Sequence, residues 1–198
     1  MILADRLYGL VLSGGKSTRM GKDKGRIIYH KRPHREHLYH LLDTVCERTF
    51  VSIRPEQKEE IPARFNRILD QDHHGGPFNG ILSAHMRFPT AAWLVLACDL
   101  PFMDTDALEQ LILARDTMAM ATALTLKEDP LPEPMCAIWE PKALDVAQNY
   151  LNRGNGSSPR KFLIHSNCRL VFPKNPQVLM NANSQEEYTA AMEKLGGL

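Results

Sequence analysis

Two unbroken apolar runs, residues 7–12 and 91–97, stand out from a chain whose other apolar positions are mostly spaced. Short continuous runs of this kind read as strands buried on both faces of a sheet. Residues 49–53 and 67–69 read as further strands. Others are expected at 27–29, 118–126, 135–139 and 169–172, with 135–139 antiparallel to its neighbours. Between the strands the spacing changes. Leu38, Leu41, Leu42 and Val45 recur three and four residues apart, which predicts a helix over 34–48 with one face on the sheet. Ala143, Leu144, Ala147 and Leu151 repeat the pattern within 141–151. Helices are also expected over 79–86, 107–115 and 159–165, and after Ser184. Strand and helix alternating through short connections predict an α/β protein: a three-layer, doubly wound, mostly parallel sheet with helices on both faces.

Local chemistry agrees with these boundaries. Asp104 is placed to cap the helix that follows it, and Ser158 with Pro159 suits the start of another. Ser184 with Glu187 three residues on makes a capping box. Trp139 reads as core rather than as a stacking platform.

The ends of the strands carry the charged groups. After the first run comes Leu12-Ser13-Gly14-Gly15-Lys16-Ser17-Thr18-Arg19-Met20-Gly21-Lys22-Asp23-Lys24. Paired glycines let the backbone come close to a ligand, and successive backbone N–H groups in such a turn form an anion site. Lys16, Arg19, Lys22 and Lys24 add four cations. The loop is not a Walker loop, because five residues separate Gly15 from Gly21 and Asp23 stands where a hydroxyl is required. The dinucleotide fingerprint fails as well. Asp70 ends the strand at 67–69 and opens the turn-rich stretch 70–80; Asp72, His73 and His74 lie in that stretch. As a lone residue, Asp70 is as well explained by a capping role as by a ligand contact. Asp99 follows the second apolar run, where a carboxylate is costly unless it faces water or a cation, and Mg²⁺ takes one or two carboxylates with phosphate oxygens.

Composition narrows the reading further. The 198 residues suit one domain, with a nucleotide half over about 1–104 and an acceptor half over about 105–198. At 43% hydrophobic and 24% charged residues, with a net charge of +1, no overall field draws the chain to nucleic acid or membrane. No apolar run has the length of a membrane span, and the first residues lack the pattern of a secretory signal. Cys46, Cys98, Cys136 and Cys168 are scattered, which predicts reduced thiols in a cytoplasmic protein. His34, His37 and His40 share one face of a helix, and a solvated surface is the expectation for them over a zinc site. Arg160 and Lys161 at a helix start either grip a phosphate or form a solvated basic turn.

Residues 12–24 resemble the signature loop of nucleotidyltransferases with a Rossmann-like sheet, and their spelling is most similar to the molybdenum cofactor guanylyltransferases of the MobA type. Ser13 departs from the usual alanine. Three weaker likenesses follow in order: Asp70 ahead of Gly76-Pro77-Phe78-Asn79-Gly80, Cys98-Asp99-Leu100-Pro101, and Asn181-Ala182-Asn183 ahead of Glu186-Glu187. Phe78 and Asn79 depart from the family's Leu-Ala in what the resemblance makes a base-pocket region. The resemblance implies the nucleotide-diphospho-sugar transferase fold and transfer of GMP from GTP to molybdenum-loaded molybdopterin. It implies nucleotide contacts from Leu12, Ser13, Gly14, Gly15, Lys24, Asp70 and Asp99. Arg19, Lys24 and Asp99 would be catalytic, and Asp99 would hold Mg²⁺. Arg160, Lys161 and Asn183 would face the acceptor. Partners would be GTP, the molybdopterin-type acceptor, and proteins of molybdenum insertion and molybdoenzyme maturation. The alternatives are a relative using CTP or a sugar phosphate, and a nucleotide-binding protein without turnover.

Overall fold

A computed structural model describes residues 6–14, 23–71, 76–154 and 156–196. They form a sheet of seven strands in the order β3-β2-β1-β4-β6-β5-β7. These are β1 (Leu7–Leu12), β2 (Arg48–Ile53), β3 (Arg67–Leu69), β4 (Ala92–Ala97), β5 (Ala121–Leu124), β6 (Cys136–Trp139) and β7 (Cys168–Val171). β6 alone of these strands runs against the rest, pairing antiparallel with β4 and β5. β1 pairs in parallel with β2 on one side and β4 on the other, with Leu12 level with both Ser52 and Ala97. The chain therefore builds outward through β2 and β3, then returns to the other side of β1.

The described residues also form the helices α1 (His34–Asp43), α2 (Pro77–Arg87), α3 (Thr105–Leu113), α4 (Pro141–Asn152) and α5 (Pro159–Ile164), which pack on the sheet, and α6 (Gln185–Gly196), which packs on Tyr29 and Ala182. The period of two within each strand sorts the core into two layers. Ala92, Leu94 and Leu96 face α1 and α3, where Leu38, Leu42, Leu108 and Leu111 are fully buried. Trp93 and Val95 face α2, α4 and α5, with Phe78, Ile81, Leu144 and Phe162. Trp139 is fully buried in this second layer. Its ring packs with Phe78 and Phe162. The predicted three-layer architecture is thus the observed one.

Several expected boundaries move for identifiable reasons. Residues 27–29 form no strand; Ile28 makes one bridge to Pro33, and His34 N–H closes the turn onto Ile27. The helix expected over 34–48 stops at Asp43 because the Thr44 hydroxyl donates back to the Leu41 carbonyl, and Arg48 already belongs to β2. The strand expected over 118–126 shortens because Asp116 takes the Met118 N–H into a turn. The caps fall where the sequence puts them. Asp104 accepts from Ala107 N–H at 2.8 Å, Ser158 accepts from Lys161 N–H at 3.3 Å, and Ser184 and Glu187 exchange bonds.

One buried ion pair lies away from the edge where β1 and β4 end. Arg115 binds both oxygens of Glu140, at 2.7 and 2.9 Å, and Glu140 is 3% exposed. The pair joins the end of α3 to the start of α4. Its role is structural, since a two-pronged guanidinium satisfies a carboxylate that would otherwise be costly there.

Gly9 in the centre of β1 shows how closely the layers approach. A Cβ at this position would lie 2.8 Å from Leu42 Cβ on α1. Gly9→Ala should therefore lower stability by about 1–3 kcal/mol through overpacking, read as a lower urea midpoint with an unchanged slope.

Candidate functional site

Parallel pairing brings the carboxyl ends of β1, β2, β3 and β4 to one edge of the sheet, and β1 and β4 flank the point where the strand order reverses. Open α/β sheets bind ligands at this position. Ser13-Gly14, Arg54, Asp70 and Cys98-Asp99 all emerge there because each follows directly on its strand.

Ser13 N–H continues the ladder by donating to Ser52 O at 3.0 Å. Asp70 N–H donates to Ile53 O at 2.8 Å, and the Ser52 hydroxyl donates to the Asp70 carboxylate at 2.5 Å. Gly14 meets Asp70 so closely that a Cβ would collide with its carboxylate. This contact fixes Asp70 at the mouth of the glycine-rich loop and explains the glycine. On the other side of β1, burial pushes the Cys98 thiol up to about 12, a shift that the neighbouring Ser13 hydroxyl opposes. The serine that departs from the family spelling is thus part of the joint between the two loops.

Lys24 and Asp99 come together from far apart in the chain. Lys24 Nζ lies 3.9 Å from Asp99 Oδ2 and donates to Asn183 Oδ1 at 2.5 Å. Ala182 N–H donates to Asp99 O at 2.9 Å, and Asn183 N–H donates to Glu187 at 2.6 Å. The capping box of α6 thereby ties the Asn-x-Asn segment to the end of β4. Burial raises the Asp99 carboxyl above its usual range, and the Lys24 ammonium pulls it back. The side chain keeps 27% of its exposure, open to a ligand. A single hard-oxygen carboxylate of this kind fits Mg²⁺ completed by phosphate oxygens. Among the described residues no group of three His, Cys, Asp or Glu side chains forms a metal cage.

The structure thus joins Lys24, Asp99 and Asn183, and separately Ser13, Gly14 and Asp70, with Leu12 ending β1 beneath them. Gly15, Arg19, Asp72, His73 and His74 lie outside the described residues. Arg160 forms an ion pair with Glu133, ahead of β6, and Lys161 sits beside it in the first turn of α5. Phe78 is a core residue, fully buried, so that departure lies under the site rather than in a base pocket. Sequence reading passed over Ser52 and Arg54. The stem of Arg54 lies near Gly14, and its Nε is buried without a hydrogen-bond partner among the described residues. A cation directly after a strand was the available signal.

The histidines correct an expectation. His34 is fully buried, not solvated. His30 and His37 stack at 3.9 Å, and His34 lies about 6 Å from each, at 6.2 and 6.0 Å. Tyr29 closes the cluster edge-on to His34 and contacts Tyr188 of α6. His30 Nε2 bonds with Pro101 O at 2.8 Å, so the cluster underpins the turn after Asp99. Neither His34 nitrogen makes a bond of ordinary geometry, although the Leu100 backbone slightly favours its charged form.

Comparisons with known proteins show what the chain as a whole is similar to. A family model described as the MobA-like NTP transferase domain matches residues 9–168. A molybdenum cofactor biosynthesis bifunctional protein from Synechocystis sp. is 38% identical over 183 residues, taking in 92% of this chain and 52% of that protein. This chain therefore spans about half the length of that relative. A probable molybdenum cofactor guanylyltransferase from Trichormus variabilis is 24% identical, covering 92% of this chain and 89% of its own. The solved structure of molybdopterin-guanine dinucleotide biosynthesis protein A from Archaeoglobus fulgidus superimposes with a TM-score of 0.80 at 22% identity. It covers 96% of this chain and 100% of its own, a likeness of fold.

Burial holds His34 down at about 3, helped by His37 and His30, and holds His37 at about 4. The unfolded chain binds protons that these neutral rings refuse, so their contribution is complete above about pH 6.5 and is lost as pH falls to about 4 for His37 and about 3 for His34. Urea midpoints should drop across that window. His34→Leu should flatten the drop and be no less stable at pH 7, since it removes two unpartnered buried nitrogens.

Proposed function

Because this chain belongs to the MobA-like NTP transferase domain family, we propose that it transfers GMP from GTP to the terminal phosphate of molybdopterin carrying molybdenum, releasing pyrophosphate. The observation that carries the reading is the meeting of Lys24, Asp99 and Asn183 at the end of β4, beside the turn that begins at Ser13. The choice of guanine is supported by relatives named as guanylyltransferases.

The reaction asks little covalent chemistry of the protein. An acceptor phosphate oxygen is already anionic at neutral pH and attacks the α-phosphorus. A new P–O bond forms, the bond to the bridging α–β oxygen breaks, and pyrophosphate leaves with the electron pair. No general base is needed. The task is to bring two anions together and offset the charge that develops. Backbone amides at Gly14 and Gly15 receive the triphosphate, while the Ser13 amide, which the resemblance assigned to the same task, is committed to Ser52 O. Lys24, kept in line by Asn183, and Arg19 balance charge on the β- and γ-phosphates. Asp70 contacts the nucleotide from the β3 side. Asp99 would hold Mg²⁺, which when bound would supply Lewis-acid charge. Arg160 and Lys161 are assigned to the acceptor phosphate, with Arg160 exchanging Glu133 for it.

Pyrophosphate release tests the reading. It should require Mg²⁺, GTP and molybdenum-loaded molybdopterin together; release with CTP instead would reassign the nucleotide. Asp99→Asn and Lys24→Ala should each lower kcat by roughly 10²-fold or more, as loss of a preorganised electrostatic group does elsewhere. An Asp99→Asn protein with parental turnover would overturn the assignment of that residue.

A further inference from the structure

Two buried polar side chains fasten the ends of the glycine-rich loop, and neither belongs to the charges assigned above. Gln57, 3% exposed, comes from the 3₁₀ turn Pro55–Glu60 after β2. Its Nε2 donates to Ser13 O at 3.1 Å and to Asp23 Oδ2 at 3.0 Å. Its Oε1 accepts from Arg54 N–H at 3.0 Å, which fixes the orientation of the amide. One nitrogen therefore spans the residue that enters the loop and the residue that leaves it. Arg35, 4% exposed, reaches from α1. Its Nη1 lies 3.1 Å from the same Asp23 oxygen, and its Nη2 lies 3.6 Å from Glu60. Asp23 uses its other oxygen to accept from Gly25 N–H at 2.9 Å, capping the short turn Lys24–Arg26.

Burying an arginine, a glutamine and a carboxylate together is costly unless each is satisfied, and here each has its partners. The geometry has a direct consequence for Lys24. Its ammonium is held at its tip by Asn183, and its stem starts from a backbone whose direction the Asp23 cap sets. Closure at Gln57 also fixes the distance between Ser13 and Asp23, and so the span available to the loop between them.

We propose that Gln57 and Arg35 are positioning residues, which hold the entrance and exit of the phosphate loop at a fixed separation and thereby aim Lys24 at Asp99. The proposal rests on the nucleotidyl-transfer reading, but the clamp itself can be tested without it. Loss of the Ser13 anchor weakens ground-state phosphate contacts and raises KM for the nucleotide. Loss of the Asp23 anchor misdirects Lys24 and lowers kcat.

The test uses the full chain with Gln57→Leu, close in volume and without donors, and Arg35→Lys, which keeps the charge but not the fork. Hydrogen exchange on the unliganded protein reads the clamp directly. Exchange at the Gly25 amide should quicken in both variants while the amides of β4 stay protected. Turnover is then followed with whichever nucleoside triphosphate the parent uses. Gln57→Leu should raise KM and lower kcat, each by about 10-fold, within the range that small misplacements cost. In a Lys24→Ala background the kcat penalty of Gln57→Leu should vanish while the KM penalty remains, because the kcat effect runs through Lys24. Parental exchange at Gly25 in Gln57→Leu, or a full kcat penalty without Lys24, would overturn the proposal. A parent that is silent with all four nucleotides would overturn the transfer reading instead, and the exchange experiment would still decide the clamp.

Discussion

Parallel pairing of β1 with both β2 and β4 is the constraint on which the rest of this structure depends. It sets Leu12 level with Ser52 and Ala97. The residues that follow these strands then have to leave the sheet at the same edge. Ser13, Arg54, Asp70 and Asp99 meet there for that reason, although 86 positions separate the first from the last by their numbering. The strands themselves are ordinary apolar segments, and their alignment is what collects the chemistry.

Charge handling at that edge differs from charge handling elsewhere. Arg115 and Glu140 are closed on each other by two short bonds and have little further use. Asp99 is raised by burial, only partly offset by Lys24, and still faces the cleft. A carboxylate in that condition gains from a divalent cation in a way that Glu140 does not. Lys24 is likewise shared between Asp99 and Asn183 rather than committed to one partner. The site keeps these charges near one another at a single edge of the sheet.

Support for those charges comes from polar side chains that never reach the cleft. Gln57 and Arg35 hold the loop from beneath, and the Ser52 hydroxyl holds Asp70. The histidine cluster supports the turn after Asp99 through His30 and Pro101. Each support lies on a different element from the group it steadies. The arrangement is therefore only as rigid as the packing of α1 on β1, where Gly9 allows the helix to come close.

The alternation of apolar runs and helical spacings was enough to name the three-layer fold, because burial on one or both faces leaves a period in the sequence. Caps at Asp104, Ser158 and Ser184 were legible for the same local reason: side chain and backbone partner lie within three residues. The glycine-rich loop, Asp70 and Asp99 were legible because each ends a strand. What the sequence did not contain was who meets whom. Lys24 and Asn183 are 159 residues apart, and nothing local to either predicts the bond. Gln57 sits in a polar stretch, Pro55–Glu60, with no local sign of burial, yet it is buried against Ser13 and Asp23 from another part of the chain. His34 shares the spacing of a surface face but is covered by Tyr29 and the Leu100 turn. Local periodicity records which face of an element is apolar. Only the packed structure decides which polar groups that face carries inside with it, because their partners come from distant segments.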